Sequence, residues 1–338
     1  MQYKSSILSI FQWTLEIDLK KDFETIVFKD LVRSGIKNVN PKEAVFQYYN
    51  LLKRRVEQKP RHILYSREFK CPEKYKLALE EFEGKAKKGA DLTPYLSEKL
   101  QRADYNDLLL NDWGIQHFHL SRRFRDDGLV ARSQYLIFAK VTADTIYMIQ
   151  VYDHNAEDVF SREELIRILA DNWPEVIERY HIKGARELTE HFDDHDYSEI
   201  RKGRIQSFVE LGENRVYGLM GGGYSTSGAS LEALQQSDYW RGRLEVVQGI
   251  VVKEAEHIGK AINRAIEKRA PFCPMHIRFL WFDNRDTFSM CETNSGLIVR
   301  YESRGRRFWV GRRMWYECAS HIAMPRAYAI SHLSKKAQ

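Results

Sequence analysis

Three short segments in which apolar and polar residues alternate follow Gly114, and they constrain the fold more than any other feature of the chain. The segments read HFHLSRRF (117–124), SQYLIFAKVT (133–142) and TIYMIQVYDH (145–154). A two-residue period over this length is typical of β-strands, and the short connections favour antiparallel pairing. A stretch of helical spacing follows, interrupted by Pro174, which should end or kink a helix. We therefore predict a small antiparallel sheet with one helix over residues 111–180.

Helical patterns dominate before this unit, and a mixture of patterns follows it. Residues 1–110 have mostly helical spacing and are predicted to form a helical N-terminal region. Residues 181–338 combine a hairpin with its turn at Gly212–Asn214, a long amphipathic helix that ends before Pro271, and a strand meander. The predicted fold class is α+β, with a second α+β unit after the sheet unit.

The composition is that of a globular protein that can bury substantial cores. The chain has 338 residues, of which 43% are hydrophobic, and no window approaches the roughly 18 consecutive apolar residues of a membrane span. Four cysteines in a chain of this length do not form a disulfide scaffold, which favours a cytoplasmic location. The net charge of +6 permits a polyanionic partner such as nucleic acid without requiring one.

Two histidines one residue apart lie at the centre of the first strand segment. Residues two apart share a face of a strand, so His117, His119 and Arg123 are predicted to lie on one side. Phe118, which lies between the histidines, should point into a core on the other side. The third segment ends in His154, so a polar sheet face with several imidazoles is predicted.

These residue types match the chemistry of metal-free RNA cleavage. The reaction needs a base for the 2′-hydroxyl proton, an acid for the leaving oxygen and cations for the phosphorane charge. Imidazole titrates near neutrality, and arginine is the usual phosphate clamp. The candidate catalytic residues are His117, His119, His154, Arg123 and Arg132. The alternative is that the histidines are structural residues whose hydrogen bonds are satisfied within the protein.

The same three strands carry a resemblance to a known group of proteins. Residues 113–173 resemble the sheet of the RelE/ParE-type bacterial toxins. The resemblance lies in the order of four features: H-x-H-L-S-R-R, a basic turn, R-S-Q-Y-L-I-F-A, and a strand ending in Tyr152 to His154. In that group a helical hairpin precedes a small curved sheet, and several members cut ribosome-bound mRNA with Arg, Lys, His and Tyr on the concave face. The resemblance implies an RNA-directed nuclease with an antitoxin or a defence-complex protein as its partner. Members of the group are usually much shorter and more basic than this chain.

A second basic feature lies near the end of the chain. In RYESRGRRFWVGRRMWY, residues 300–316, six arginines are interleaved with five aromatic residues. Arginine forks suit phosphates and aromatic faces suit unstacked bases, so this hairpin is predicted to bind nucleic acid, RNA rather than DNA. The candidate binding residues are Arg304, Arg306, Arg307, Trp309, Arg312 and Arg313. The alternative is a surface hairpin whose aromatic residues pack inward while the arginines are solvated.

A glycine-rich loop, GGGYSTSGAS (221–230), precedes the long helix. Glycine permits positive φ and close backbone approach, and a helix N-terminus attracts anions. The spacing matches neither a P-loop nor a dinucleotide fingerprint. The candidate phosphate-binding residues are Gly221, Gly222, Gly223, Ser225 and Thr226. The alternative is a connector that ends in a serine helix cap.

Two C-x-x-H pairs have the spacing of zinc ligands: Cys273 with His276, and Cys318 with His321. Strand-forming sequence separates the pairs, and Cys291 is left over. We therefore expect neither a metal nor another cofactor.

The leading hypothesis is a cytoplasmic, metal-independent, RNA-directed nuclease of a bacterial toxin or phage-defence system. The first alternative is a non-catalytic subunit of a defence assembly that binds nucleic acid or protein. The second alternative is a nucleotide-binding sensor that uses the glycine-rich loop. The sequence alone leaves all three hypotheses open.

Overall fold

The computed structural model describes residues 6–10, 13–185, 188–267, 274–284 and 286–311. The fold class is α+β, as predicted. The strands are, in chain order, β1 (Ser6–Ile10), β2 (Trp13–Ile17), β3 (His62–Tyr65), β4 (Ile115–His119), β5 (Tyr135–Val141), β6 (Thr145–Asp153), β7 (Val209–Glu210), β8 (Val216–Tyr217), β9 (Met275–Asn284), β10 (Thr287–Glu292), β11 (Leu297–Glu302) and β12 (Arg307–Gly311). The α-helices are α1 (Leu19–Arg33), α2 (Ala44–Arg54), α3 (Lys76–Lys88), α4 (Leu108–Trp113), α5 (Glu164–Asn172), α6 (Pro174–Ile177), α7 (Asp194–Lys202), α8 (Leu231–Lys253) and α9 (Ala255–Ala265). In the described part of the chain, no helix is long and apolar enough to cross a membrane.

The contacts divide the chain into two compact units. The terminal unit consists of Met1–Tyr48 and Gln236–Gln338, and the central unit consists of Tyr49–Gln235. These bounds differ from the three regions predicted from the sequence. The reason is that β2 pairs with β9 in parallel, far along the chain, and such a pairing leaves no trace in local periodicity.

The terminal unit is built on a six-stranded sheet in the order β1-β2-β9-β10-β11-β12. All of its strand pairs except β2 with β9 are antiparallel, so the predicted C-terminal meander is present. Helix α1 covers one face, where the ring of Phe23 lies 5.8 Å from that of Phe279 and 5.5 Å from that of Phe282. Trp240 of α8 packs on Phe282 at 4.3 Å between ring centroids.

The central unit is built on a four-stranded sheet in the order β3-β6-β5-β4, in which β3 is parallel to β6 and the other pairs are antiparallel. Helix α3 covers one face, where Phe82 contacts the ring of Phe118 at 4.9 Å. The hydrophobic core on the opposite face joins Ile115, Leu136 and Phe138 of the sheet to Leu165 of α5 and its neighbours. Both faces of the sheet are therefore buried. Pro174 breaks the helix after β6 into α5 and α6, as predicted.

The C-terminal end of α4 is capped by a distant segment of the chain. The last carbonyls of any helix lack partners within the helix. Here Asp112 O accepts from Gly221 N at 2.7 Å, and Asn111 O accepts from Gly223 N at 2.8 Å. A Cβ at position 221 would overlap the carbonyl groups of Leu110 and Asn111. Glycine is thus required at this position by close packing.

Two buried cations complete the cap of α4. The ammonium group of Lys140 donates to Met220 O at 3.0 Å and lies 3.4 Å from Trp113 O, and burial lowers its pKa to about 8. Arg201 of α7 donates from Nε and Nη2 to Asp112 Oδ2 at 3.1 and 3.0 Å. Both cations lie near the negative end of the α4 dipole, where positive charge is favourable.

We expect Gly221→Ala to lower the free energy of unfolding by more than about 2 kcal/mol, because the added methyl group forces two helix carbonyls apart. The matched control is Gly84→Ala within α3, where a Cβ has open space. That variant should be stabilised by about 0.5–1 kcal/mol, because alanine favours a helix over glycine. Urea denaturation measures both values. A Gly221→Ala protein as stable as the wild type would contradict the packing role of this glycine.

Candidate functional site

The histidines of β4 face the core beneath α5, not open solvent. His117 lies opposite Phe138 of β5, and its ring is 5.2 Å from that of Phe160. His154 also contacts Phe160, with 5.8 Å between the ring centroids. The prediction that His117 and His119 share a strand face agrees with the burial of Phe118 against α3. The predicted polar face is not exposed to solvent, because helices cover both faces of this sheet.

His119 and His154 form a stacked pair of imidazoles. Their rings are stacked at 6.3 Å between centroids with an interplanar angle of 24°. His119 is only 6% exposed, and Ser133 N–H donates weakly to its Nδ1 at 3.4 Å. Burial lowers the pKa of His119 to about 4, and the nearby charges of His117, His154 and Arg132 act in the same direction. His119 is therefore a neutral imidazole at pH 7.

His117 lines a narrow pocket. Burial lowers its pKa, while the carboxylate of Asp107 acts in the opposite direction. Its Nδ1 is buried and has no hydrogen-bond partner among the described residues. A buried polar atom without a partner is costly, so this nitrogen is an unusual feature of the strand.

The two candidate arginines do not lie on the strand face. Strand β4 ends at His119, and the following residues form a loop in which Phe124 bridges Val130. Arg123 is exposed in this loop. Arg132 is also exposed and lies 3.7 Å from the carboxylate of Glu98. The prediction that Arg123 lies on the same face as the histidines is therefore wrong. The alternating sequence pattern continues to Phe124, but the hydrogen-bonded strand ends at His119.

The pocket beside His117 contains functional groups that the sequence analysis missed. Besides three leucines and a serine, its lining includes Arg54, Tyr105, Asp107, Gln116 and His117. Asp107 is the N-cap of α4 and accepts from Leu110 N at 3.1 Å, a role that a cap pattern could have indicated. Arg54 reaches the pocket from α2, and no local pattern could have indicated that.

The arginine-rich hairpin presents two different faces. Tyr301 and Phe308, opposite each other on β11 and β12, stack at 4.8 Å on the side of the core. Adjacent strand residues point to opposite sides, so Arg307 and Trp309 face away from that core. Trp309 is 47% exposed. The aromatic residues thus pack inward only in part.

The remaining candidate arginines have different surroundings. Arg304 donates to Asp286 Oδ2 at 2.6 Å, and Arg306 is exposed in the turn with a positive φ of 48°. Arg312 and Arg313 lie outside the described residues. Of the candidate residues that the structure describes, Arg307 and Trp309 are therefore the two that lie on the outward face of β12.

A cross-strand row continues this face. The paired positions, from β9 to β12, are Trp281, Ser289, Arg300 and Trp309. Neighbouring strands are about 4.8 Å apart, so two tryptophans lie about 14 Å apart with an arginine between them. Ser289 is fully buried and Trp281 and Arg300 are half-buried, so Trp309 and Arg307 form the exposed part of this face, where a base can stack.

The glycine-rich loop does not offer the amide groups that the phosphate hypothesis needs. The N–H groups of Gly221, Gly222 and Gly223 donate to the carbonyls of Asp112, Leu219 and Asn111. Ser225 N donates to Ala229 O, and its hydroxyl bonds that of Ser227 at 2.8 Å. Thr226 is exposed. The glycines are used to cap α4, which is why their amides are occupied.

No metal-binding cluster of three or more His, Cys, Asp or Glu side chains is found among the described residues. Cys273, Cys318 and His321 lie outside those residues, so the C-x-x-H pairs are not described as pairs. The imidazole of His276 lies 3.0 Å from the carboxylate of Glu16 on the neighbouring strand.

Comparison with known proteins does not place the chain in a family. It matches no protein-family model, no curated protein and no solved structure. The resemblance to the RelE/ParE-type toxins therefore stays a prediction.

We expect His119 to make the protein sensitive to acid. The unfolded histidine has a pKa near 6.5, above the folded value of about 4, so the unfolded state binds more protons between these values. Stability should therefore fall as the pH falls through that range. When the pH is lowered from 7.5 to 4.5, the free energy of unfolding should fall for both proteins. The fall should be about 2 kcal/mol smaller for His119→Gln than for the wild type.

Urea denaturation at the two pH values measures this difference. His62→Gln is the control, because His62 is an exposed histidine on β3 of the same sheet. Equal acid sensitivity in His119→Gln and the wild type would show that His119 is not desolvated in solution.

Proposed function

We propose that this chain binds single-stranded RNA on the outward face of the six-stranded sheet, with Trp309 as the principal stacking residue. The observation that carries the proposal is the exposed Trp309 beside the exposed Arg307, on a sheet face that points away from the hydrophobic core. Any base can stack on an indole ring, so such a surface should bind RNA of any nucleotide sequence.

Charge supports the same assignment. Arg307 flanks Trp309 on the outward face, and Arg306 in the adjoining turn is exposed. Guanidinium groups bind phosphate oxygens in pairs of hydrogen bonds and also stack on bases. The protein carries a net charge of +6, which favours a polyanionic ligand over a neutral one. A duplex hides its bases in the helix, so single strands should bind and duplexes should not.

We expect Trp309→Ala to weaken binding of a single-stranded RNA oligonucleotide roughly ten- to hundredfold, because one base loses its stacking partner. Arg307→Ala should lower the slope of log affinity against log salt by about one, because one phosphate contact is lost. Fluorescence anisotropy at several salt concentrations measures both effects. The controls are Tyr239→Ala and Arg33→Ala; Tyr239 is 46% exposed on α8, and Arg33 is exposed at the end of α1. Wild-type affinity in Trp309→Ala would overturn the proposal.

We propose a second candidate function, cleavage of RNA at the histidine pair, because one specific observation favours it. His119 and His154 are stacked next to the charge of Arg132, and His119 is neutral at pH 7. In this reaction His119 takes the 2′-hydroxyl proton, the 2′-oxygen bonds to phosphorus, and the bond to the 5′-oxygen breaks. His154 gives the leaving oxygen its proton, so the products are a 2′,3′-cyclic phosphate and a 5′-hydroxyl.

Cleavage is tested with purified protein and labelled RNA in the presence of EDTA. We expect products that end in cyclic phosphate, at least a hundredfold loss of rate in His119→Gln and in His154→Gln, and normal activity in His62→Gln. An RNA in which every 2′-hydroxyl is replaced by hydrogen should not be cut. Persistent cleavage by a folded His119→Gln, His154→Gln double variant would exclude this role of the histidines, while the binding proposal would stand.

A further inference from the structure

One edge of the four-stranded sheet in the central unit is open. Strand β3 is the last strand of this sheet; it pairs with β6 on one side, and among the described residues no strand pairs with its other side. The opposite edge is different, because β4 is largely buried. In β3 the side chains of Leu64 and Tyr65 are 43% and 40% exposed. An exposed apolar edge of this kind is a template for pairing with a further strand.

The backbone of β3 determines which hydrogen-bonding groups face the open side. The amides of His62 and Ser66 donate to carbonyls on the β6 side, at 2.8 and 3.0 Å. Backbone groups alternate in direction along a strand, so the N–H and C=O groups of Ile63 and Tyr65 point away from β6. These groups repeat every two residues, at a spacing of roughly 6.6 Å. An extended chain has the same spacing, so the edge is suited to a β-strand.

The free part of the edge has defined ends. Before it, Arg61 N donates to a carbonyl at the C-terminal end of α3 at 3.2 Å. After it, Arg67 N donates to the side-chain oxygen of Asn172 at 3.0 Å. The free edge is therefore residues 62–66, and its centre is Leu64. This segment, HILYS, contains no Asp, Glu, Lys, Arg or Pro, so it lacks the charges and the proline that commonly protect an edge strand.

We propose that β3 pairs with β3 of a second copy of this chain, antiparallel and about a two-fold axis at Leu64. In this register Leu64 lies opposite Leu64 of the second copy, and Ile63 lies opposite Tyr65 of the second copy. The backbone groups of Ile63 and Tyr65 face each other, and each such pair exchanges two hydrogen bonds. The two four-stranded sheets thereby become one continuous sheet across the dimer.

A second copy suits this edge because the edge is complementary to itself. A residue that points its backbone groups outward must lie opposite another residue that does so, and the whole free edge meets this condition when the axis passes through Leu64. The pairing covers the exposed side chain of Leu64 and places Ile63 against Tyr65. Apolar pairs of an aromatic and a β-branched side chain stabilise antiparallel strands.

The nearest like charges lie just outside the paired residues. Arg61 and Arg67 of the second copy are opposite each other in this register. However, Arg61 Nε donates to Thr142 O at 3.0 Å, and Arg67 Nη2 donates to Asp171 O at 3.2 Å, so each guanidinium group is bound to a carbonyl of its own chain. The proposed dimer goes beyond RNA binding and RNA cleavage, since neither proposal uses β3.

Sedimentation equilibrium of the full chain measures the association, and we expect the wild type to form a dimer. Leu64→Lys and Leu64→Glu should each weaken dimerisation about tenfold or more, because each places two like charges opposite each other at the axis. An equimolar mixture of the two variants should form a dimer again, because lysine then lies opposite glutamate. The matched control is Leu77→Lys, since Leu77 is 58% exposed on α3 and lies outside the free edge. That variant should dimerise like the wild type.

Leu64→Cys tests the register directly. Opposite residues of a pair without mutual hydrogen bonds have Cα atoms about 4.5 Å apart, which a disulfide can bridge. Mild oxidation should therefore link two Leu64→Cys chains, whereas Leu77→Cys, which carries the same native cysteines, should stay unlinked. A wild type that is monomeric at every concentration would overturn the proposal, as would a dimer that persists in both charged variants. Because the mass of the wild type can decide alone, the test does not depend on whether a variant folds.

Discussion

The short helix α4 is the element on which the arrangement of the central unit depends. Its first residue follows the cap Asp107, which also lines the pocket beside His117. Its last carbonyls are bound by the amides of Gly221 and Gly223 and by the ammonium group of Lys140, which donates to Trp113 O. Strand β4 begins directly after this helix. The position of the histidines is therefore set by how α4 is held at both ends, and not by the strand alone.

The two units place their polar chemistry in different environments. In the central unit, helices cover both sheet faces, so His119 and its neighbours are desolvated and the pKa of His119 is low. In the terminal unit, one face of the sheet carries Arg307 and the half-exposed Trp309. A neutral imidazole is free to accept a proton, whereas an exposed cationic and aromatic face favours binding. The two proposed functions follow from this difference in burial.

The candidate site was predictable only in part. The shared face of His117 and His119 follows from strand parity, which is a local property of the backbone. The same parity fails for Arg123, because β4 ends before it is reached. Arg54 and Gln116 were not predicted, since their roles depend on contacts between residues more than sixty positions apart along the chain. The function of the glycine-rich loop was not predictable from the sequence either. Glycine is suited both to anion binding and to close packing against a helix, and the sequence does not distinguish the two.

The sequence by itself determined the α+β class, the strand meander and the break at Pro174. These properties depend on residues that are close in the chain, where periodicity, proline and helix caps act directly. Only the tertiary structure decided that β2 joins β9, that α5 covers the histidines and that Gly221 caps α4. Each of these depends on surfaces that meet only after folding, because burial and electrostatics are set by distance in space.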